Sequence, residues 1–135
     1  GIRFGYAIAQ PEVMECLYKL KDSYNVNMFT QWAASEALEY MDAVMDNVRT
    51  ICRTREWLIQ EFKEMGWFVY PSSSNFIFAR HPRAREIFEL LRENDIFVRY
   101  FNVPLLQDGI RVSVGTEEQC KKMLNIIKER LESNA

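Results

Sequence analysis

Arg99 and Arg111 lie in two neighbouring strand-like runs, and each carries a planar guanidinium fork suited to a phosphate or a carboxylate. The stretch 99–116 reads RYFNVPLLQDGIRVSVGT: Phe97-Val98-Arg99 enters a loop, and residues 110–114 return from it. Ile110, Val112 and Val114 alternate with Arg111 and Ser113, the period of a half-buried strand. Both guanidiniums can therefore converge where adjacent strands finish. The same pattern also fits two strand ends in solvent, and the residues alone leave both readings open. A third arginine, Arg3, sits in GIRFGY at the start of the chain. Residues 100–109 show no pattern of a catalytic acid, base or nucleophile, so the stretch reads as recognition rather than bond-breaking chemistry.

Other chemistries find little support. The single histidine, His81, stands beside Pro82 in a loop, which argues against a histidine-rich metal site or a histidine-based triad. Cys16, Cys52 and Cys120 are far apart and form no CxxC; each falls on the apolar face of an expected helix. They are expected to be buried, reduced thiols, as suits a reducing cytoplasm. Seventeen Lys and Arg against nineteen Asp and Glu leave a net charge of −2, so any anion site must be local rather than a global field for nucleic acid. Trp32, Trp57 and Trp67 form no basic aromatic platform. No apolar run approaches the ~20 residues that span a bilayer. A cytoplasmic protein with no membrane or nucleic-acid partner is the expectation.

At 135 residues, 48% hydrophobic and 27% charged, the chain can bury a sizeable core. Residues 1–9 alternate weakly and read as a strand, although nothing nearby pairs with it. Such an orphan strand should be disordered or pair with another chain. Pro11 opens a helix with Val13, Cys16, Leu17 and Leu20 on one face. The polar loop DSYNVN follows, then a short helix over 30–39. The longest element covers 43–65, with an apolar stripe of Val44, Val48, Ile51, Cys52, Leu58, Ile59, Phe62 and Met65, and Gly66 as its stop. Arg55 interrupts that stripe and reads as a snorkelling or interfacial residue. Strands are expected at 67–70, 75–79, 96–100 and 110–114, with a helix ending near Asn94 between the second and third. Thr116 and Gln119 make a capping box that opens a last helix through Leu131. From Gly66 the order is ββαββα, an α+β fold with helices on one face of a small, mainly antiparallel sheet.

The segments GIRFGYAIAQPE, SYNVN, VRTICRTREWL, YPSSSNFIFAR, IFVRYFN and IRVSVGT occur in this order. Together they resemble the C-terminal part of a pyridoxal-phosphate-dependent aminotransferase of class I/II, fold type I, and specifically the histidinol-phosphate aminotransferase family. The resemblance covers essentially the whole chain. It implies that residues 1–28 are the tail of a large cofactor-binding domain and residues 29–135 the small C-terminal domain. It implies pyridoxal 5'-phosphate as cofactor, with Arg3 holding the cofactor phosphate. Arg111 would anchor the acidic end of the substrate, and Arg99 would join it for the phosphate of histidinol phosphate. Asn25, with Tyr24, would lie near the active-site entrance between subunits of a homodimer. Asn75 matches the Asn-Phe/Tyr pair of the family, although tying down a turn explains it equally well. The resemblance implies transfer of the amino group of histidinol phosphate to 2-oxoglutarate in histidine biosynthesis.

The Schiff-base lysine of that family falls upstream of Gly1, and Lys19, Lys21 and Lys63 lack its context. The chain is therefore expected to be a C-terminal piece with no catalytic residue of its own, inactive alone because the electron-sink chemistry needs the other half. Two relatives of the same superfamily remain open, an aromatic-amino-acid aminotransferase and a phosphothreonine decarboxylase. So does a free-standing α+β module that binds a small anion without catalysis.

Overall fold

The computed structural model describes residues 2–133. Contacts divide the chain into two compact units, Gly1–Asp46 and Asn47–Ala135. Gly1, where the expected first strand begins, lies outside the described residues.

In the first unit, residues 2–10 form no strand within this chain, although their composition reads as one. Two causes are visible. Arg3 takes φ 58°, outside the extended region, and among the described residues no strand pairs with this run to supply a ladder of hydrogen bonds. Helix α1 (Pro11–Leu20) starts on its proline as expected, and α2 (Met28–Glu39) starts two residues early. The Asn27 side chain explains the early start by accepting from Thr30 N–H at 2.9 Å as an N-cap. Neither helix holds a buried residue. Cys16 is accordingly exposed, a correction to the expected buried thiol, whereas Cys52 is half-buried and Cys120 buried. All three are free thiols.

Helix α3 (Met41–Glu64) runs through the division between the units. Its second half begins the other unit, which continues with β1 (Phe68–Val69), β2 (Phe76–Arg80), α4 (Ala84–Glu93), β3 (Arg99–Tyr100), β4 (Gly109–Ser113) and α5 (Glu117–Glu132). The ββαββα order is as expected. The strands form one sheet in the order β1-β2-β4-β3, antiparallel throughout. Ile77, Ala79, Ile110 and Val112 turn inward onto Leu58 and Phe62 of α3, Ile87 and Leu91 of α4, and Leu124 and Ile127 of α5. Phe76, Phe78, Arg111 and Ser113 alternate away from that core.

Both outer strands are shorter than their sequences promise. After α3, Trp67 N–H donates to Phe62 C=O at 3.0 Å, with Gly66 at φ 82°. After α4, Ile96 N–H donates to Leu91 C=O at 2.8 Å, with Asp95 at φ 58°. These are paired helix-closing turns with a left-handed residue inside each. The N–H groups that could have begun a ladder are already spent. Arg55, the interruption in the α3 stripe, donates from Nη1 to Ser74 C=O at 3.0 Å and so ties the helix to the turn before β2.

Candidate functional site

The outward face of the sheet carries the candidate site. Arg99 on β3 stands directly opposite Arg111 on β4, and Arg111 stands opposite Phe78 on β2. Sheet register thus places two exposed arginines on directly opposed positions, with Phe78 next in line across β4. Like charges in directly opposed positions repel, yet neither arginine has a carboxylate partner among the described residues. Each instead lies over a phenyl ring: Arg99 Cζ is 5.3 Å from the centre of Phe101, and Arg111 Cζ is 5.1 Å from that of Phe76. Such contacts attract the cation without consuming its N–H donors.

Arg80, Arg83 and Arg130 of the same unit are used differently. Arg80 Nε donates to both Asp108 oxygens at 2.9 Å, and its Nη1 donates to the Tyr70 hydroxyl at 3.2 Å. That guanidinium holds the Asp108 carboxyl below the ordinary carboxylate range. Arg83 and Arg130 both donate to Glu86, at 2.8 and 2.7 Å, and lower its pKa to about 2. Arg80 and Arg83 are thus paired in structural bridges, while Arg99 and Arg111 keep their forks unspent.

The loop between β3 and β4 is tied at several points. Tyr100 donates its hydroxyl to Gln107 C=O at 2.8 Å, His81 N–H donates to Asp108 C=O at 2.8 Å, and Gly109 N–H donates to Leu106 C=O at 3.0 Å. Gly109 also allows the Phe78 ring to lie against the β4 backbone, since a Cβ there would fall inside the ring's van der Waals envelope. The clamp between Arg80 and Asp108 was not anticipated from sequence, because its partners stand 28 positions apart. The pairing of Arg99 with Phe101 had a local signal: Phe101 stands two residues after Arg99, one past the end of β3, where strand alternation carried one residue further puts it on the same face.

Arg3 and Asn25 belong to the first unit, and both are exposed. Asn25 lines an open depression with Phe4, Tyr18, Tyr24, Asn27 and Gln31. Among the described residues no cluster of metal-binding side chains exists, and no helix is long and apolar enough to cross a membrane.

The family model described as aminotransferase class I and II matches residues 1–127. The chain belongs to the class I and II aminotransferase family. Within it, the histidinol-phosphate aminotransferase of Geotalea uraniireducens is 37% identical over 131 residues, 96% of this chain and 38% of that protein. The enzyme of the same name from Syntrophotalea carbinolica is 40% identical over 126 residues, 92% of this chain and 36% of that protein. The chain therefore spans well under half the length of these aminotransferases. The crystal structure of histidinol-phosphate aminotransferase from Sinorhizobium meliloti, in complex with pyridoxal-5'-phosphate, superposes with a TM-score of 0.74 at 22% identity. It covers 93% of this chain and 35% of the Sinorhizobium chain, and establishes a shared aminotransferase fold.

Proposed function

We propose that this chain is the anion-recognising C-terminal portion of a histidinol-phosphate aminotransferase, which transfers the amino group of histidinol phosphate to 2-oxoglutarate in histidine biosynthesis. The observation that carries this reading is the cross-strand pair Arg99 and Arg111, two unspent guanidiniums on one sheet face. A phosphate dianion matches two such charges, whereas one arginine suffices for a carboxylate. The names of the 37–40% identical relatives support the same substrate.

In this reading Arg111 holds the substrate phosphate in one half-reaction and the 2-oxoglutarate carboxylate in the other. Arg99 adds its fork for the phosphate alone. Arg3, which is exposed and in a left-handed backbone position, would hold the phosphate of pyridoxal 5'-phosphate. That cofactor, when bound, supplies the electron sink for amino-group transfer. None of this chain's residues takes the lysine's role, so the chain alone is not expected to transaminate. Residues 1–28 belong to the cofactor domain and residues 29–135 to the small domain, in a cytoplasmic homodimer with Asn25 near the entrance.

The test is kinetic, in the full-length protein. Arg99→Ala should lower kcat/KM for histidinol phosphate about 10- to 100-fold, the range for losing hydrogen bonds to a charged group. Turnover with 2-oxoglutarate should change far less. Arg111→Ala should impair both half-reactions. Unchanged histidinol-phosphate kinetics in Arg99→Ala would remove the phosphate assignment and favour an aromatic-amino-acid aminotransferase.

A further inference from the structure

The two ring contacts on the outward sheet face run in different directions. Arg99 and Arg111 stand on directly opposed positions of β3 and β4. Phe101 follows Arg99 by two residues, toward the Gly109 end of β4 and on the β3 side. Phe76 stands opposite Ser113, toward the other end and on the β2 side. Arg99 Cζ lies 5.3 Å from the Phe101 ring centre and Arg111 Cζ 5.1 Å from that of Phe76, so the rings draw the two guanidiniums apart. Separation suits two like charges on opposed backbone positions. It also leaves Arg111 to meet an anion by itself. The Phe101 ring is a fixed support for Arg99, half-buried and edge-on to Phe78 at 6.3 Å.

We infer that Phe101 is a specificity-determining residue of the anion site: its ring holds Arg99 away from Arg111 until a phosphate draws the guanidinium off, whereas a carboxylate on Arg111 leaves it in place. This rests on the anion-clamp reading proposed above, and it supplies a physical reason why Arg99 serves the phosphate alone. The hold has to be weak and reversible. A carboxylate in place of the ring would neutralise Arg99 and fill its donors, as Asp108 does for Arg80. An exposed cation–ring contact leaves the N–H donors open and is weaker than a charge-assisted hydrogen bond. A carboxylate is matched by the single charge of Arg111. A phosphate dianion there keeps a second negative charge, and hydrogen bonds to it outweigh the ring. Arg99 can make them by side-chain rotation alone, because its backbone position directly opposes that of Arg111 and its stem is long.

The test is steady-state kinetics of the full-length protein at pH 8, where a phosphate monoester is a dianion. Phe101→Leu releases Arg99 and should lower KM for histidinol phosphate about threefold, the scale of an exposed cation–ring contact. Phe101→Trp holds the cation more strongly and should raise that KM about twofold. In both variants kcat and the KM for 2-oxoglutarate should stay unchanged, because only uniform binding of the phosphate is altered. In an Arg99→Ala background neither substitution should have any effect. The inference is overturned if Phe101→Leu leaves the histidinol-phosphate KM as it was or raises it, as a supporting or purely structural ring would. It is equally overturned if both substrates shift together, or if the shift persists without Arg99. Each variant decides by itself, so a leucine variant that fails to fold leaves the tryptophan variant to support or overturn the inference. Failure of the clamp reads differently: histidinol-phosphate kinetics would then survive Arg99→Ala itself.

Discussion

His81 shows how much of a residue's role depends on neighbours that sequence does not display. Its ring stacks on Trp67 at 4.9 Å, and its Nδ1 accepts the Arg83 backbone N–H at 3.1 Å. Burial lowers its pKa first, the Arg83 charge lowers it further, and Glu86 opposes both. The folded state therefore favours neutral imidazole more than the unfolded chain does. The resulting stability is fully present above the unfolded value of about 6.5 and is lost as pH falls below it. Thermal melting at pH 7.5 and 5 should show this decline, and His81→Asn should flatten it. A parallel decline in both proteins would assign the titration to another group. Glu86 does not confuse that window, since its own contribution is lost only as pH falls from the ordinary carboxylate range toward 2. At this scale the sequence showed Arg99 and Arg111 as candidates through strand alternation. It did not show Phe76 beneath Arg111, because that contact depends on the register of β2 against β4.

At the scale of elements, local chemistry was legible wherever a few consecutive residues settle the outcome. The Thr116 hydroxyl accepts from Gln119 N–H at 3.3 Å while the Gln119 side chain accepts from Thr116 N–H at 3.0 Å, the reciprocal cap expected at the start of α5. Glu117 and Glu118 add negative charge at the same end. Thr116→Ala should cost about 1 kcal/mol, read as a lower urea midpoint with unchanged slope; Thr116→Ser should restore most of it. Strand extents were less legible. Residues 67 and 96 look like strand formers, but the closing turns of α3 and α4 take their N–H groups. The run at 2–10 fails for a related reason, since β-propensity describes a side chain on a sheet and cannot supply the sheet. Arg55 looked like a flaw in an apolar stripe and proved to be the tie to Ser74.

At the scale of the whole molecule, burial is unevenly distributed. Among the described residues the buried apolar side chains run from Leu58 to Ile127, and none falls in the first unit. Tyr6, Leu20, Tyr24 and Phe29 stay mostly exposed. Backbone hydrogen bonds without packed side chains open cheaply. Hydrogen exchange should therefore find β2, β4 and the buried turns of α5 slowest, with α1 and α2 exchanging near the rates of free peptides. Comparable protection in α1 and β2 would contradict this. The alternation that placed Ile77, Ala79, Ile110 and Val112 in the core was visible in the sequence, whereas the lack of a core under α1 was not, because its amphipathic spacing is that of a packed helix. The brevity of β1 and β3 carries a different consequence. The long strands β2 and β4 are paired with each other inside the sheet, and the outer strand on each side is two residues long. Another copy meeting either border finds too short a template to extend the ladder. The two helix-closing turns that trim these strands thus also protect the sheet against templated aggregation.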